Sequence, residues 1–243
     1  MRRPKLRDNR NKGPYEPYPL GQIPDDVIYN IAKGMTYYFA IGRADIGGDD
    51  WGDIFANAVG GEHLGKPIGL ADVIYKGMAW SVKSVKDNRP WEKKTVRLIS
   101  GRNSPDYSFK VDNPHANVQK TGDMALSIWN ERVNIARERY EPLRTCVLLR
   151  NPLTMRFALF EKETLRYDVS DFEWRENKNG NFEGYHKSTE KHCFTWQPSG
   201  SQFTIICDVP SSAKRFQIKR PPMLDFEETM RQIGFDKEWV LIQ

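Results

Sequence analysis

Asp72, Ser81 and Lys83 stand on the two arms of one short stretch, Gly69-Leu70-Ala71-Asp72-Val73-Ile74-Tyr75-Lys76-Gly77-Met78-Ala79-Trp80-Ser81-Val82-Lys83. The stretch reads as a tight β-hairpin: two apolar runs flank Lys76-Gly77-Met78, and a glycine supplies φ > 0 for a two-residue turn. A Lys76-Gly77 loop sets Asp72 opposite Ser81; a Gly77-Met78 loop sets it opposite Lys83. In both registers the period of two puts Asp72, Ser81 and Lys83 on one face and leaves Ala71, Val73, Tyr75, Trp80 and Val82 as the core side. A carboxylate and an amine displayed together on a rigid hairpin suit a site that holds a divalent metal beside a phosphate. A second Ser-x-Lys, Ser84-Val85-Lys86, overlaps the first. It falls on the Trp80 face if the loop has two residues and on the Asp72 face if it has three.

Asp72 followed by Ser81-Val82-Lys83 resembles the PD-(D/E)xK nuclease superfamily, the fold of most type II restriction endonucleases. Its pattern is an acid at the start of one strand and (Glu/Asp/Ser)-x-Lys on the next. Ala71 stands where the pattern often has proline, and Ser81 where a second carboxylate is usual. Some restriction enzymes of the superfamily also carry serine there and recruit a Glu from elsewhere. The resemblance covers roughly residues 45–152. It implies phosphodiester hydrolysis with Mg²⁺, Asp72 as the central metal ligand, and Lys83 on the attacking water and the scissile phosphate. Ser81 is a weak ligand, so a further acid is expected near it. Glu62, just ahead of the hairpin in Gly60-Gly61-Glu62-His63, is the first choice. Asp53 is the second, because the preceding helix carries a metal-binding acid in several relatives, and Glu92 is the third.

The elements that must position these residues follow from periodicity. Pro24-Asp25-Asp26 opens a helix, and Val27, Ile28, Ile31, Met35 and Phe39 continue it at helical spacing. Asp49 or Asp50 is expected to cap a second helix running to about Val59, with Trp51, Ile54, Phe55 and Ala58 as its apolar stripe and Gly60-Gly61 as its stop. After the hairpin, Thr95 to Ser100 reads as a third strand and Gly101 to Thr121 as loop. Asp123 to about Tyr140 reads as an amphipathic helix, with Met124, Ile128, Val133 and Ile135 apolar. Thr145 to Arg150 is a buried strand by its continuous apolar run. The order helix, strand, strand, strand, helix, strand is the core order of the resembled family, the last helix crossing over to a parallel strand. Met155 to Phe160, Cys193 to Trp196 and Phe203 to Val209 read as further strands, and Phe226 to Ile233 as a short helix. The expected fold class is therefore α/β (α+β): a restriction-endonuclease-like core, with a central mixed β-sheet flanked by helices and additional C-terminal strands. Its expected parts are a basic irregular arm over 1–22, a nuclease core over 23–152, and a β-rich extension over 153–243 that serves DNA recognition.

Composition limits the function classes. The net charge is +5, and residues 1–20 hold six Lys or Arg against Asp8 and Glu16, so four of those charges sit in the arm (Arg2, Arg3, Lys5, Arg7, Arg10, Lys12), where they could embrace a phosphate backbone. No run approaches a membrane span, and the opening residues lack the apolar segment of a signal peptide. Cys146, Cys193 and Cys207, odd in number and in strand-like surroundings, read as reduced thiols of a cytoplasmic protein. His186, His192, Cys193 and Cys207 match no zinc spacing, and no P-loop, dinucleotide fingerprint or nucleophile elbow occurs. Base reading needs Arg, Asn, Gln or Ser projected into a groove. Arg102, Asn103 and Ser104 after the third strand, and Gln197, Ser201 and Gln202 at a later polar turn, are the candidates. The expected activity is Mg²⁺-dependent, sequence-specific cleavage of double-stranded DNA by a homodimer, with a separate cognate DNA methyltransferase as partner. The alternatives are a repair or recombination nuclease of the same fold and a non-catalytic nucleic-acid-binding module.

Overall fold

The computed structural model describes residues 16–65 and 69–242. The basic residues of the arm from Arg2 to Lys12 lie outside them. In chain order the elements are α1 (Asp25–Ala40), α2 (Gly48–Val59), β1 (Glu62–His63), β2 (Val73–Tyr75), β3 (Met78–Lys86), β4 (Thr95–Arg102), α3 (Pro105–Phe109), α4 (Val118–Arg137), β5 (Leu143–Asn151), β6 (Arg156–Glu163), β7 (Phe172–Glu176), β8 (Phe182–His186), β9 (His192–Gln197), β10 (Gln202–Asp208), β11 (Lys214–Gln217) and α5 (Phe226–Gln232). The fold is mixed α/β, with two sheets. The first is mixed, in the order β1-β2-β3-β5-β6-β11; the second is antiparallel, in the order β4-β10-β9-β8-β7.

The first sheet is the spine. β2 and β3 form the hairpin, and β3 runs parallel to β5 in register from Ala79↔Leu143 to Lys86↔Arg150. That parallel pair is the crossover the element order predicts, with α4 inside the connection. One face of this sheet carries Val73, Trp80, Cys146, Leu148, Phe157 and Leu159. It packs against α1 through Ile31, Met35 and Phe39 and against α2 through Trp51, Ile54 and Phe55. These helix residues recur at three- and four-residue steps, which is why the two segments fold as amphipathic helices and bury one stripe each. Neither Asp49 nor Asp50 is the cap of α2. Gly47 holds that position, and the Asp50 carboxylate accepts its N–H at 3.1 Å. Gly60, at φ 69°, ends the helix in the left-handed region.

The opposite face meets the second sheet and α4. Ala79 and Leu143 pack with Ala125, Leu126, Trp129, Val133 and Ala136 of α4 and with Phe194, Trp196 and Phe203. Val147, Leu149, Ala158 and Phe160 pack with Val96, Leu98 and Cys207. Two expectations change here. The third strand exists, but β4 leaves the first sheet and pairs with β10, so β5 lies directly against β3. Helix α4 begins at Val118, inside the expected loop, and its buried stripe runs Ala125, Trp129, Val133, Ala136; Ile135 is exposed. Met124, Ile128 and Ile135 suggested a face rotated from the buried one because the stripe is built partly of alanine. Residues 23–152 and 153–243 both contribute strands to each sheet.

One buried ionic network ties the chain together behind the hairpin. Glu161 accepts from the Tyr18 hydroxyl and from Trp80 Nε1, each at 2.7 Å, and pairs with Arg144 at 3.1 Å. Arg144 also reaches Glu16 at 2.6 Å and the Tyr18 carbonyl at 3.0 Å, so residues 16–18 are fastened to the back of β3. The three cysteines are free thiols, Cys146 and Cys207 buried and Cys193 half-buried. Among the described residues no helix is long and apolar enough to cross a membrane.

The contact between α4 and the second sheet gives a test of this packing. A Cβ on Gly122 of α4 would lie 2.1 Å from Cδ2 of Trp174, whose buried ring is backed by Phe194 in a stacked contact. Alanine gains about 1 kcal/mol of helix propensity over glycine. Overpacking of a closed core costs about 1–3 kcal/mol or more. The 2.1 Å overlap with a backed ring places Gly122→Ala at the upper end of that range, so it is expected to lower stability by a net ~2 kcal/mol, read as a lower urea midpoint at unchanged slope. A variant as stable as the wild type would contradict the packing described.

Candidate active site

The hairpin turn is Lys76-Gly77, with φ of 43° and 90°, both positive as a two-residue turn of this type requires. Val73 faces Trp80, Ile74 faces Ala79 and Tyr75 faces Met78, which extends to Asp72 opposite Ser81. The Asp72 N–H bonds the Trp80 carbonyl at 2.9 Å, and its own carbonyl accepts from Leu64 N–H at 2.8 Å. Its side chain takes over where the short β2 arm ends: Oδ2 accepts from the Val82 N–H at 2.8 Å and from the Ser81 hydroxyl at 3.1 Å. Lys83 Nζ lies 3.6 Å from the same oxygen. The three candidate residues are thus gathered on one carboxylate. Ser81 is buried, while the Asp72 and Lys83 side chains are 16% and 25% exposed, open enough to meet a ligand. Oδ1 of Asp72 has no hydrogen-bond partner among the described residues.

A polar row crosses the sheet from this point. Ser81 lies beside Thr145 of β5, and Thr145 beside Lys162 of β6. Thr145 and Thr164 share a 2.7 Å hydroxyl contact. Ser81, Lys83, Thr145 and Lys162 line one side of a small cavity between the two sheets, whose other walls are largely apolar, among them Leu98 and Trp129. From above, α4 brings Arg132, whose Nη1 donates to the Ser100 carbonyl and, at 3.1 Å, to Asn103 Oδ1. Burial holds the Arg132 guanidinium below its ordinary pKa, and the Asp72 carboxylate pushes it back up. Arg132 and Lys162 were not among the residues that sequence spacing selects. For Arg132 a signal existed: it falls at the helical step between Trp129 and Ala136, on the side of α4 that faces the core.

The other candidates lie elsewhere. Asp53 sits on α2, over the Trp80 face of the sheet, and binds His63 Nδ1 at 2.7 Å. The sheet separates it from Asp72, so it cannot join that carboxylate as a metal ligand. Glu62 faces Ile74 across β1 and β2, on the same side as Asp72 but two residues along and exposed, in a groove with Leu64, Arg139 and Tyr140. Glu92 is exposed in the loop after β3 and pairs with Arg89 at 3.5 Å. Among the described residues no group of three His, Cys, Asp or Glu side chains converges to hold a metal ion. The two-residue turn also excludes Ser84-Val85-Lys86; Lys86 instead reaches Asp45 at 3.5 Å. Ala71, expected on the Trp80 side, packs on the opposite core with Leu70 and Ala79, because the regular strand begins only at Val73.

The base-reading candidates come together at one edge. Arg102 faces Gln202 across β4 and β10, and the Asn103 N–H bonds the Ser201 carbonyl at 2.8 Å. Arg102 is exposed; Ser104, Gln197, Ser201 and Gln202 are half-buried. Asn103 is not available to a base edge. It is fully buried, donates to the Ala125 carbonyl at 2.8 Å, accepts from Arg132, and gives its own carbonyl to Trp196 Nε1.

Comparison with family models, with curated proteins and with solved structures finds no match to this chain.

The turn that sets this geometry can be probed directly. Gly77 adopts φ 90°, and a Cβ built there meets nothing within 4 Å, so backbone strain and not crowding decides a substitution. An L side chain in left-handed space costs roughly 1–2 kcal/mol. Gly77→Ala is therefore expected to lower the unfolding free energy by about 1–2 kcal/mol, read as a lower urea midpoint at unchanged slope. A variant as stable as the wild type would show that the turn is not the one described.

Proposed function

We propose that this protein is a Mg²⁺-dependent endonuclease of the restriction type, hydrolysing phosphodiester bonds in a specific sequence of double-stranded DNA. The observation that carries the reading is the convergence of Lys83 and Asp72 from adjacent arms, 3.6 Å apart and partly open. The carboxylate is held in place by the Val82 N–H and the buried Ser81 hydroxyl.

The donor set bears on the metal. Mg²⁺ keeps several waters and is commonly bound by one or two carboxylates together with substrate phosphates. Asp72, with Oδ1 unengaged, fits such a shared ion; the described residues supply no closed cage. When bound, the ion would polarise the phosphate and lower the pKa of a coordinated water. The chain's own residues do the rest. Val82 N–H and Ser81 fix the carboxylate, and Lys83 offers its ammonium to a phosphate oxygen or to the attacking water. The edge formed by Arg102, Gln197, Ser201 and Gln202 is the part proposed to meet the DNA grooves. A homodimer would match a palindromic site and supply one centre per strand, and a separate methyltransferase would protect the host sequence.

A second reading, a non-catalytic nucleic-acid-binding module, is favoured by one observation: among the described residues no group of three His, Cys, Asp or Glu side chains converges at the site. Cleavage separates the two. Phage DNA incubated with the protein and Mg²⁺ is expected to give discrete fragments. Asp72→Asn and Lys83→Ala are each expected to slow cleavage by about 10²–10³-fold or more while DNA binding persists. Intact DNA, or variants that cut like the wild type, would overturn the nuclease reading.

A further inference from the structure

Arg132 occupies an unusual electrostatic position. Its guanidinium is anchored through Nη1 alone, to the neutral Ser100 carbonyl and Asn103 amide oxygen. Among the described residues no carboxylate lies within 4 Å of it. Nε and Nη2 donate to no described residue, and neither belongs to the fully buried unpaired nitrogens, so each keeps some contact with solvent. A half-buried cation usually carries an acid against it, because its charge is costly to desolvate alone. Ser100, whose carbonyl holds Nη1, lines the same cavity as Ser81 and Lys83, and the Asp72 carboxylate acts on Arg132 from beyond ion-pair distance.

The surroundings keep the guanidinium in place. Gly101 adopts φ 100°, and a Cβ there would lie 2.8 and 2.9 Å from Arg132 Nη2 and Nη1. Asn103 is pinned by Ala125, Ser201 and Trp196, so its amide oxygen is a rigid acceptor. A held guanidinium with one free planar edge and no counter-ion is built to take an anion in the two-point geometry that phosphate favours.

We infer that Arg132 is a second phosphate-binding residue of this site, closing from α4 on the same phosphodiester that Lys83 meets from the sheet, with Asn103 as its positioning residue. The inference rests on the nuclease reading for its substrate, but its chemistry, a guanidinium on non-bridging phosphate oxygens, can be tested without cleavage. Charge from Arg132 would also supply part of what a second carboxylate-bound ion would otherwise contribute at the transition state.

Inorganic phosphate is the probe. It is expected to raise the melting temperature of the wild-type protein, with less than about half that rise in Arg132→Gln and an intermediate rise in Arg132→Lys, which keeps the charge and loses the fork. Equal phosphate dose responses in wild type and Arg132→Gln would overturn the inference. Should both variants fail to fold, the wild type still decides: phosphate should protect Arg132 from phenylglyoxal, followed by peptide mass spectrometry, and equal modification with and without phosphate overturns the assignment. With cleavable DNA, Arg132→Gln is expected to lower the single-turnover rate by about 10²-fold while duplex binding in Ca²⁺ changes by less than about fivefold. Wild-type rates in Arg132→Gln would refute the inference and leave the nuclease reading standing. A wild type that cuts no DNA refutes the nuclease reading, and the phosphate titration still judges Arg132.

Discussion

The register of the β2–β3 hairpin is the constraint on which the site depends. In an extended strand a slip of one residue exchanges the two faces. Slippage here would drive Ser81 and Lys83 into the apolar packing under α2 and pull Trp80 out of it, where it now packs edge-on against Phe55 at 5.4 Å. Burying a large apolar side chain is worth about 1.5–3 kcal/mol, and an uncompensated buried charge costs several more. The Trp80 indole adds a hydrogen bond to Glu161, itself part of the network that fastens residues 16–18. The apolar face therefore holds the register, and the polar face inherits its geometry. Lys76-Gly77 makes the turn short enough for this to work.

The second layer turns a displayed carboxylate into a site. Because β4 departs from the first sheet to pair with β10, a sandwich forms over the face that bears Asp72. The departure carries Ser100, Gly101 and Asn103 over the hairpin, where they hold Arg132 of α4. The same arrangement encloses the row Ser81, Thr145, Lys162, a polar stripe between the apolar patches of Ala79 and Leu143 on one side and Val147 and Leu149 on the other. Polar side chains inside a sandwich lower stability unless paired. Thr145 is paired with Thr164 and Ser81 with Asp72, while the lysines reach the partly open cavity. Both faces of the sheet are thus packed, and the candidate site occupies a polar stripe between two apolar patches on one of them.

Local information in the sequence was enough for the hairpin, the first two helices and the buried strand at Thr145 to Arg150, because each is specified by neighbours within a few residues. Trp196 and Phe203, at the ends of two strands that the pattern marks, are buried. Long-range pairings were not legible. Thr95–Arg102 is an ordinary strand by pattern, and nothing local says that its partner lies over 100 residues away in Gln202–Asp208. Glu62–His63 is too short to carry a period, and Phe172–Glu176 and Phe182–His186 gain their strand character from pairing with each other and with β9. Asn103 looked like a loop residue free to read bases, since its burial comes from Trp196 and α4, elements distant in sequence. Asp53 was chosen by analogy of position, and the sheet stands between it and the carboxylate it was meant to join.

The central claim is that Asp72 and Lys83 are a phosphate-and-cation site rather than a resting ion pair. Diffraction from the protein crystallised with a duplex oligonucleotide and Ca²⁺ tests this most directly. The account predicts the cation on the Asp72 carboxylate, sharing a phosphate oxygen with DNA, and Lys83 Nζ turned from Asp72 toward that phosphate. A duplex bound elsewhere, with Lys83 still closed on Asp72 and no cation between them, would contradict it.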